Sequence, residues 1–381
     1  MPQTKVIAAN DSFGALLAMG QALAGEITLF IAAEPKDELT PASYGLADEY
    51  DEVALIVETS GSSSNPKRVA LSINALLQSA QASARRLEGS GQWLLALPTH
   101  FVAGAMVLVR SVLANTQPVL LNTGVGFTPD GFANLASMLS REKRFTSLVP
   151  TQLTRLANAV DEHAPLLQQL RRFDAVLVGG QATDPRTLHQ LRERGVNLVT
   201  TYGASETAGG CVYDGLPLDG VNLRIRNDLI EISSQTLANG YLSGGDESAF
   251  FEEGDQRWYR TSDLGEYRDG RLRVLGRADR VFISGGIKTS LDEIEATAAA
   301  IGGVVEVAAV ALRDAEWGER AALIYLGSPE VADEVAGRVL ARLGPAASPV
   351  RVVRVDEVPK LASGKPDYRS IIAFFESAQP E

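Results

Sequence analysis

One cysteine, Cys211, stands in 381 residues, so no disulfide can form within the chain, and a reducing compartment fits that count. Long apolar runs are also lacking: no stretch approaches the roughly 20 residues that a helical membrane span needs. The opening segment, "MPQTKVIAANDSFG", has too short an apolar run for a secretory leader. Positive charge is in deficit, with 35 Lys and Arg against 47 Asp and Glu and a net charge of −12. Such a chain is repelled by nucleic acid and by anionic membrane surfaces. What remains is an ordinary globular composition, 45% hydrophobic and 22% charged, long enough for two domains. The expectation is a cytoplasmic protein without a membrane span or a nucleic-acid partner; a homo-oligomer stays open.

A further lack concerns "ETSGSSSNPKRVALS" (58–72), which is rich in hydroxyls and carries Lys67. A Walker A loop needs Gly directly before its Lys and Ser or Thr directly after, whereas Pro66 and Arg68 flank Lys67. The segment is expected to follow a strand and precede a helix, where backbone N–H groups converge on an anion. A plain polar connection is the competing reading at this point.

From residue 52 to about 201 short apolar runs alternate with helical patterns. "EVALIVE", "WLLALP", "PVLLN", "TSLVP", "DAVLVGG" and "NLVTTYG" read as buried strands; "INALLQSAQASARRLE", "DGFANLASMLSREK" and "DPRTLHQLRERG" read as helices. Pro185 suits a first helical turn and Gly195 a C-terminal cap. The alternation predicts an α/β fold with a largely parallel, helix-covered sheet. After residue 220 the texture becomes β-rich, with Asp269–Gly270 as a hairpin turn. An α+β segment follows: helix 291–300, strands near 304–312 and 321–326, helix 329–343, strand 350–355 and helix 368–376. Ser290 with Glu293 forms a capping box. A domain boundary is placed at "LGRADR" (275–280), giving 1–278 and 279–381.

Three further stretches carry chemistry. In "TTYGASETAGG" (200–210) the strand ends at Tyr202–Gly203, so the next side chains reach the C-terminal edge of the sheet, where such sheets bind ligands. Ser205 can donate to a phosphate and Glu206 can hold Mg²⁺ against it; a capping Ser and a solvated Glu are the bland alternative. Asp263, in "YRTSDLGEY", suits a grip on two ribose hydroxyls, or simply a turn. In "KLASGKPDYRSI" Lys365 follows a Ser–Gly turn.

In this order the motifs resemble the acyl-adenylate-forming superfamily, which includes acyl-CoA ligases, luciferases and the adenylation domains of peptide synthetases. "TSGSSSNPK", "YGASE", "TSD", "GRADRVFISGGIK" and "SGK" stand for that superfamily's signatures, and the likeness runs through nearly the whole chain from residue 53. Within the superfamily, "WLLALPTHFVAGAMVLVRSVL", "SLVPTQLTRL", "VLVGGQAT" and "TYGASETAGGCVYDGLPLDG" are similar to the short form of the o-succinylbenzoate–CoA ligases.

The resemblance implies a large N-terminal domain of helix-covered sheets with a β-rich subdomain, and a small mobile C-terminal domain. It implies ATP and CoA as co-substrates and Mg²⁺ as cofactor. Thr59, Ser60, Gly61, Ser62, Ser63, Ser64 and Lys67 would hold the diphosphate end of ATP. Gly179, Gly180, Gln181 and Tyr202 would frame the adenine, Gly203 would belong to the same ATP site, Asp263 would hold the ribose, and Arg277 would contact the ribose or a phosphate. Ser205, Glu206 and Lys365 would act at the α-phosphate. His100, Phe101, Gly104, Thr151, Ala204 and Gly209 would line the acid pocket, and Ser284, Gly285 and Gly286 the CoA tunnel. Asp279 would be the hinge. The chain departs from the pattern at Ser64, where the loop usually has Gly, at Phe101, often His, and at Ser290, often Pro. Another aryl or medium-chain acyl-CoA ligase, and a silent nucleotide-binding sensor, are the rival readings.

Overall fold

The computed structural model describes residues 1–59, 67–121, 126–361 and 365–377. Chain contacts divide it into two units. The first holds Met1–Arg224, Glu231–Arg260 and Tyr267–Leu272; the second holds Ile225–Ile230, Thr261–Glu266 and the chain from Arg273 onward.

Two sheets organise the first unit. The larger is built on parallel strands Val119–Leu120, Gln92–Leu95, Arg144–Leu148, Ala175–Gly179 and Leu198–Ala204, neighbours in that order. Gly209–Tyr213 and Leu216–Pro217 extend it in antiparallel fashion. The inner strands bury apolar side chains because helices cover them, and one buried cluster joins Leu94, Val176 and Val178 to Phe132, Leu153 and Leu191 from those helices. Helix starts follow local chemistry: the Ser72 hydroxyl accepts from Ala75 N–H ahead of Ile73–Arg86, and the Asp184 carboxylate from Arg186 N–H ahead of Pro185–Glu193. Gly195 takes φ 81°, as its capping position requires.

The second sheet begins with a β–α–β passage from the first 32 residues, Gln3–Ala8, Ser12–Leu23 and Ile27–Ala32, which the sequence reading left undivided. Leu55–Thr59 continues it in parallel. Lys67–Leu71 then pairs antiparallel with Leu55–Thr59, and Gly240–Ser243 antiparallel with Lys67–Leu71. One expectation is corrected here: segment 60–66 connects two antiparallel strands rather than a strand and a helix, and Lys67 opens a strand. The reason lies in "VAL" at 69–71, buried against the core, which favours five more strand residues before Ser72 caps the helix.

In the second unit, Ile287–Ser290, Val281–Ser284, Gly318–Gly327 and Val304–Asp314 form an antiparallel sheet, with Arg351–Arg354 parallel beside Gly318–Gly327. Leu291–Ala299 and Ala332–Leu343 pack apolar faces with one sheet face, and Tyr368–Ser377 packs with the other. These elements match the expected series closely. The helix expected from 329 starts at Ala332 because Pro329–Val331 forms a 3₁₀ turn first. At the expected hairpin turn, Asp269 and Gly270 have φ 52° and 74°, the left-handed values that a two-residue turn needs.

Candidate active site

In the first unit the expected residues gather where the parallel strands end. Leu198–Ala204 runs straight into a 3₁₀ turn, Ser205–Thr207, and both Ser205 and Glu206 are buried. Thr207 shapes this turn: its hydroxyl accepts from Ala204 N–H at 2.9 Å and lies 2.7 Å from the Gly209 carbonyl. The returning strand approaches so closely that a Cβ on Gly203 would sit 2.1 Å from the Gly209 oxygen. Only glycine fits there. Next door, Gly179 pairs with Thr201, and Gly180 and Gln181 lie exposed beyond the strand end. Tyr202 is half-buried on the same edge.

Glu206 has a partner that the sequence reading missed. The Tyr241 hydroxyl donates to Glu206 Oε1 at 2.8 Å. Burial raises the Tyr241 phenol above its ordinary range, and the negative charge of Glu206 raises it further. Tyr241 therefore stays a donor and fixes one carboxylate oxygen. Lys67 Nζ sits 5.6 Å from the centre of the Tyr241 ring. Thus Lys67, Tyr241 and Glu206 form one cluster, with Thr59 opposite Lys67 in the strand register. No motif marks Tyr241, since "ANGYLSG" reads as a polar turn; the pairing of Gly240–Ser243 with Lys67–Leu71 brings it in. The loop residues Ser60, Gly61, Ser62, Ser63 and Ser64 lie outside the described residues.

The residues assigned to the acid pocket occupy two helix starts and two paired strands, with Ala204 opposite Gly209. Phe101 is the N-cap of Val102–Leu113, and its ring centre lies 4.0 Å from that of His100. Burial lowers the His100 pKa, which keeps the ring neutral, and its Nδ1 is buried without a hydrogen-bond partner among the described residues. A Cβ on Gly104 would fall 2.1 Å from the Pro98 carbonyl oxygen, so that helix packs against the strand end at backbone contact. Thr151 is half-buried in the first turn of Pro150–Ala159; Gln152 anchors that turn by accepting from Val149 N–H and donating to the Ala96 carbonyl.

In the second unit Arg277 stands between two acids. Its guanidinium grips Asp279 through two bonds of 2.8 Å, and Asp263 Oδ1 lies 3.8 Å away. That grip holds the Asp279 carboxyl below the usual range and lifts the Arg277 pKa. Asp263 N–H donates to the Thr261 hydroxyl at 3.0 Å, which sets the turn of the backbone. Further on, Gly285 N–H donates to the Trp317 carbonyl, so Ser284, Gly285 and Gly286 form a tight turn beside an indole that the sequence reading did not single out. Lys365 is exposed; its carbonyl accepts from Leu361 N–H, and Asp367 N–H donates to the Pro359 carbonyl.

The comparisons agree with one another. The family model described as "AMP-binding enzyme" matches residues 16–229, and "AMP-binding enzyme C-terminal domain" matches 293–365. A probable 2-succinylbenzoate–CoA ligase from Mycobacterium tuberculosis (strain CDC 1551 / Oshkosh) is 37% identical over 94% of each chain. The 2-succinylbenzoate–CoA ligase of Escherichia coli (strain K12) is 33% identical over 69% of this chain and 56% of its own. Among solved structures, an E. coli MenE variant with bound OSB-AMS superposes with a TM-score of 0.77 at 23% identity, covering 99% of this chain and 88% of the other. The Bacillus subtilis o-succinylbenzoate CoA synthetase, in complex with the acyl-adenylate intermediate OSB-AMP, gives 0.77 at 21% identity, covering 97% and 88%. At that identity the two structures establish the fold.

Proposed function

The chain belongs to the AMP-binding enzyme family, and we propose that within it the protein joins 2-succinylbenzoate to CoA, consuming ATP and releasing AMP and diphosphate. The observation that carries this reading is the likeness to a probable 2-succinylbenzoate–CoA ligase over almost the full length of both chains. The sequence motifs fit the same reaction. The product belongs to menaquinone biosynthesis, and the setting is the cytoplasm, where ATP and CoA are available. No helix among the described residues is long and apolar enough to cross a membrane.

A free carboxylate acylates poorly because oxide is a poor leaving group. Attack of a carboxylate oxygen on the α-phosphorus of ATP forms a mixed anhydride while the bond to the departing diphosphate breaks. Attacking anion and triphosphate repel each other, so the protein must place donors and positive charge where they meet. Ser205 orients the α-phosphate, Lys365 offsets its growing charge, and Lys67 meets the diphosphate end. Mg²⁺, when bound, supplies further positive charge at the phosphates, and Glu206 is the carboxylate that would hold it. Among the described residues no cluster of three or more His, Cys, Asp or Glu could hold a metal. A single carboxylate suits an ion that keeps phosphate oxygens and waters as its other ligands. In the second half-reaction the CoA thiolate attacks the acyl carbon, the bond to the phosphate oxygen breaks, and AMP leaves.

CoA-dependent AMP formation tests the substrate. 2-Succinylbenzoate should far exceed benzoate, octanoate and an amino acid; a medium-chain acid winning the series would replace this reading with its nearest rival. Two substitutions test the site. Tyr241→Phe removes one hydrogen bond to a buried carboxylate, worth about 1.5–3 kcal/mol, so kcat/KM for ATP should fall roughly ten- to a hundredfold. Unchanged kinetics in that variant would take the Tyr241–Glu206 pair out of the chemistry. Asp263→Ala should act mainly on KM for ATP, because a ribose contact is made in ground state and transition state alike. A folded Asp263→Ala protein with a normal KM would remove Asp263 from the nucleotide site.

A further inference from the structure

Arg280 directly follows Asp279, read as the pivot, and its guanidinium is committed to residues beyond it. Nε pairs with Asp292 Oδ1, Nη2 with Glu295, and Nη1 donates to the Ala309 carbonyl. The guanidinium also stacks 4.0 Å from the centre of the Tyr368 ring. With only 10% of its side chain exposed, Arg280 ties Leu291–Ala299, Val304–Asp314 and Tyr368–Ser377 together. All of these partners lie beyond Asp279 in sequence.

Asp292 has a second oxygen, and it points across the pivot. Asp292 Oδ2 accepts from the backbone N–H of Arg277 at 2.8 Å. The approach is so close that a Cβ on Gly276 would lie 2.7 Å from that oxygen, and Gly276 has φ 145°, a backbone value that side chains disfavour. Two observations, the bond and the glycine clearance, therefore place one carboxylate on both sides of Asp279.

We propose that Asp292 is a positioning residue, a latch that spans the hinge and holds the present conformation until Arg277 N–H lets go. The proposal rests on reading Asp279 as the pivot. Turning there moves Arg277 relative to Leu291–Ala299 and breaks the Arg277–Asp292 bond, while the Arg280 bonds stay intact. Asp292 touches no substrate; it sets how readily the chain leaves one conformation for the other.

The test uses the full chain and two half-reactions: ATP–diphosphate exchange with 2-succinylbenzoate, and single-turnover thioester formation from preformed acyl-adenylate. Asp292→Ala should change the ratio of the two rates about tenfold, raising one and lowering the other, as loss of one charge-assisted hydrogen bond from a single conformation implies. Asp292→Asn keeps one acceptor oxygen for Arg277 N–H but turns its amide NH2 toward Arg280, so it should restore the wild-type ratio in part. An unchanged ratio, or an equal fall in both rates with no rescue by Asn, overturns the latch. A distance measurement stands apart from activity: dyes on Met138→Cys and Glu330→Cys, both exposed positions, with Cys211 buried. Burial pushes the Cys211 thiol up to about 12, which keeps it from labelling. Asp292→Ala should shift the distance distribution in the free protein, and superimposable distributions overturn the proposal. Wild-type protein inactive on 2-succinylbenzoate would instead sink the substrate reading alone.

Discussion

Lys365→Ala should slow acyl-adenylate formation by two to three orders of magnitude, roughly 3–4 kcal/mol of transition-state stabilisation, and leave thioester formation from preformed adenylate nearly intact. Only the first half-reaction brings an anion up to a triphosphate and needs a cation at the α-phosphorus. In the second, a thiolate displaces AMP from an acyl carbon, and Lys365 has no charge of that size to offset. The Lys365 side chain is exposed, and the described residues around it are joined through backbone groups, Leu361 N–H to Lys365 carbonyl and Asp367 N–H to Pro359 carbonyl. Lys360 Nζ adds an ion pair with Glu306 at 2.8 Å, and Asp367 caps the helix by accepting from Ser370. Truncating Lys365 leaves these bonds in place, and a melt beside the wild type checks that the variant is folded. Rapid quench with and without preformed adenylate reads the two steps; equal losses in both would refute the division of labour.

Much of this is legible in the sequence, and the reasons are local. The apolar run "DAVLVGG" is a strand buried in the helix-covered sheet, while "NLVTTYG" is half-buried as it nears the site. Asp269–Gly270, Ser290 and Gly195 signal their turn and caps through chemistry confined to a few residues. The site was legible only as separate fragments, since motifs mark residue types and not neighbours. Tyr241 escaped because its role depends on a strand more than 150 residues before it in sequence, Lys67–Leu71. The same pairing explains the misplaced loop: a two-sided strand at 67–71 is short, and nothing within "KRVAL" separates it from the start of the helix that follows. Asp292 escaped for a third reason. Within "SLDEIE" it reads as an ordinary first-turn acid, favoured by the helix dipole, and only the fold carries Gly276 and Arg277 to it.

Asp279→Pro should release diphosphate and accumulate bound acyl-AMP, yet make almost no thioester. If Asp279 is the pivot, its backbone dihedrals must differ between the two half-reactions, while its side chain need touch no substrate. Proline fixes φ near −65° and removes the N–H, so one of the two conformations becomes inaccessible. Ala278–Arg280 is a 3₁₀ turn closed by Val281 N–H to the Ala278 carbonyl, and a φ of that size suits such a turn. The ring also crowds Ala278, and the substitution deletes the carboxylate that Arg277 grips with two 2.8 Å bonds. Asp279→Ala separates these effects: it deletes the same carboxylate, leaves φ free, and should support both half-reactions within a fewfold of wild type. Circular dichroism and a melt must first show both variants folded. A single-turnover quench then decides. Thioester formed by Asp279→Pro at the wild-type rate would refute the hinge and the boundary between 278 and 279 together; loss of thioester in Asp279→Ala as well would assign the effect to the Arg277 ion pair and not to rotation.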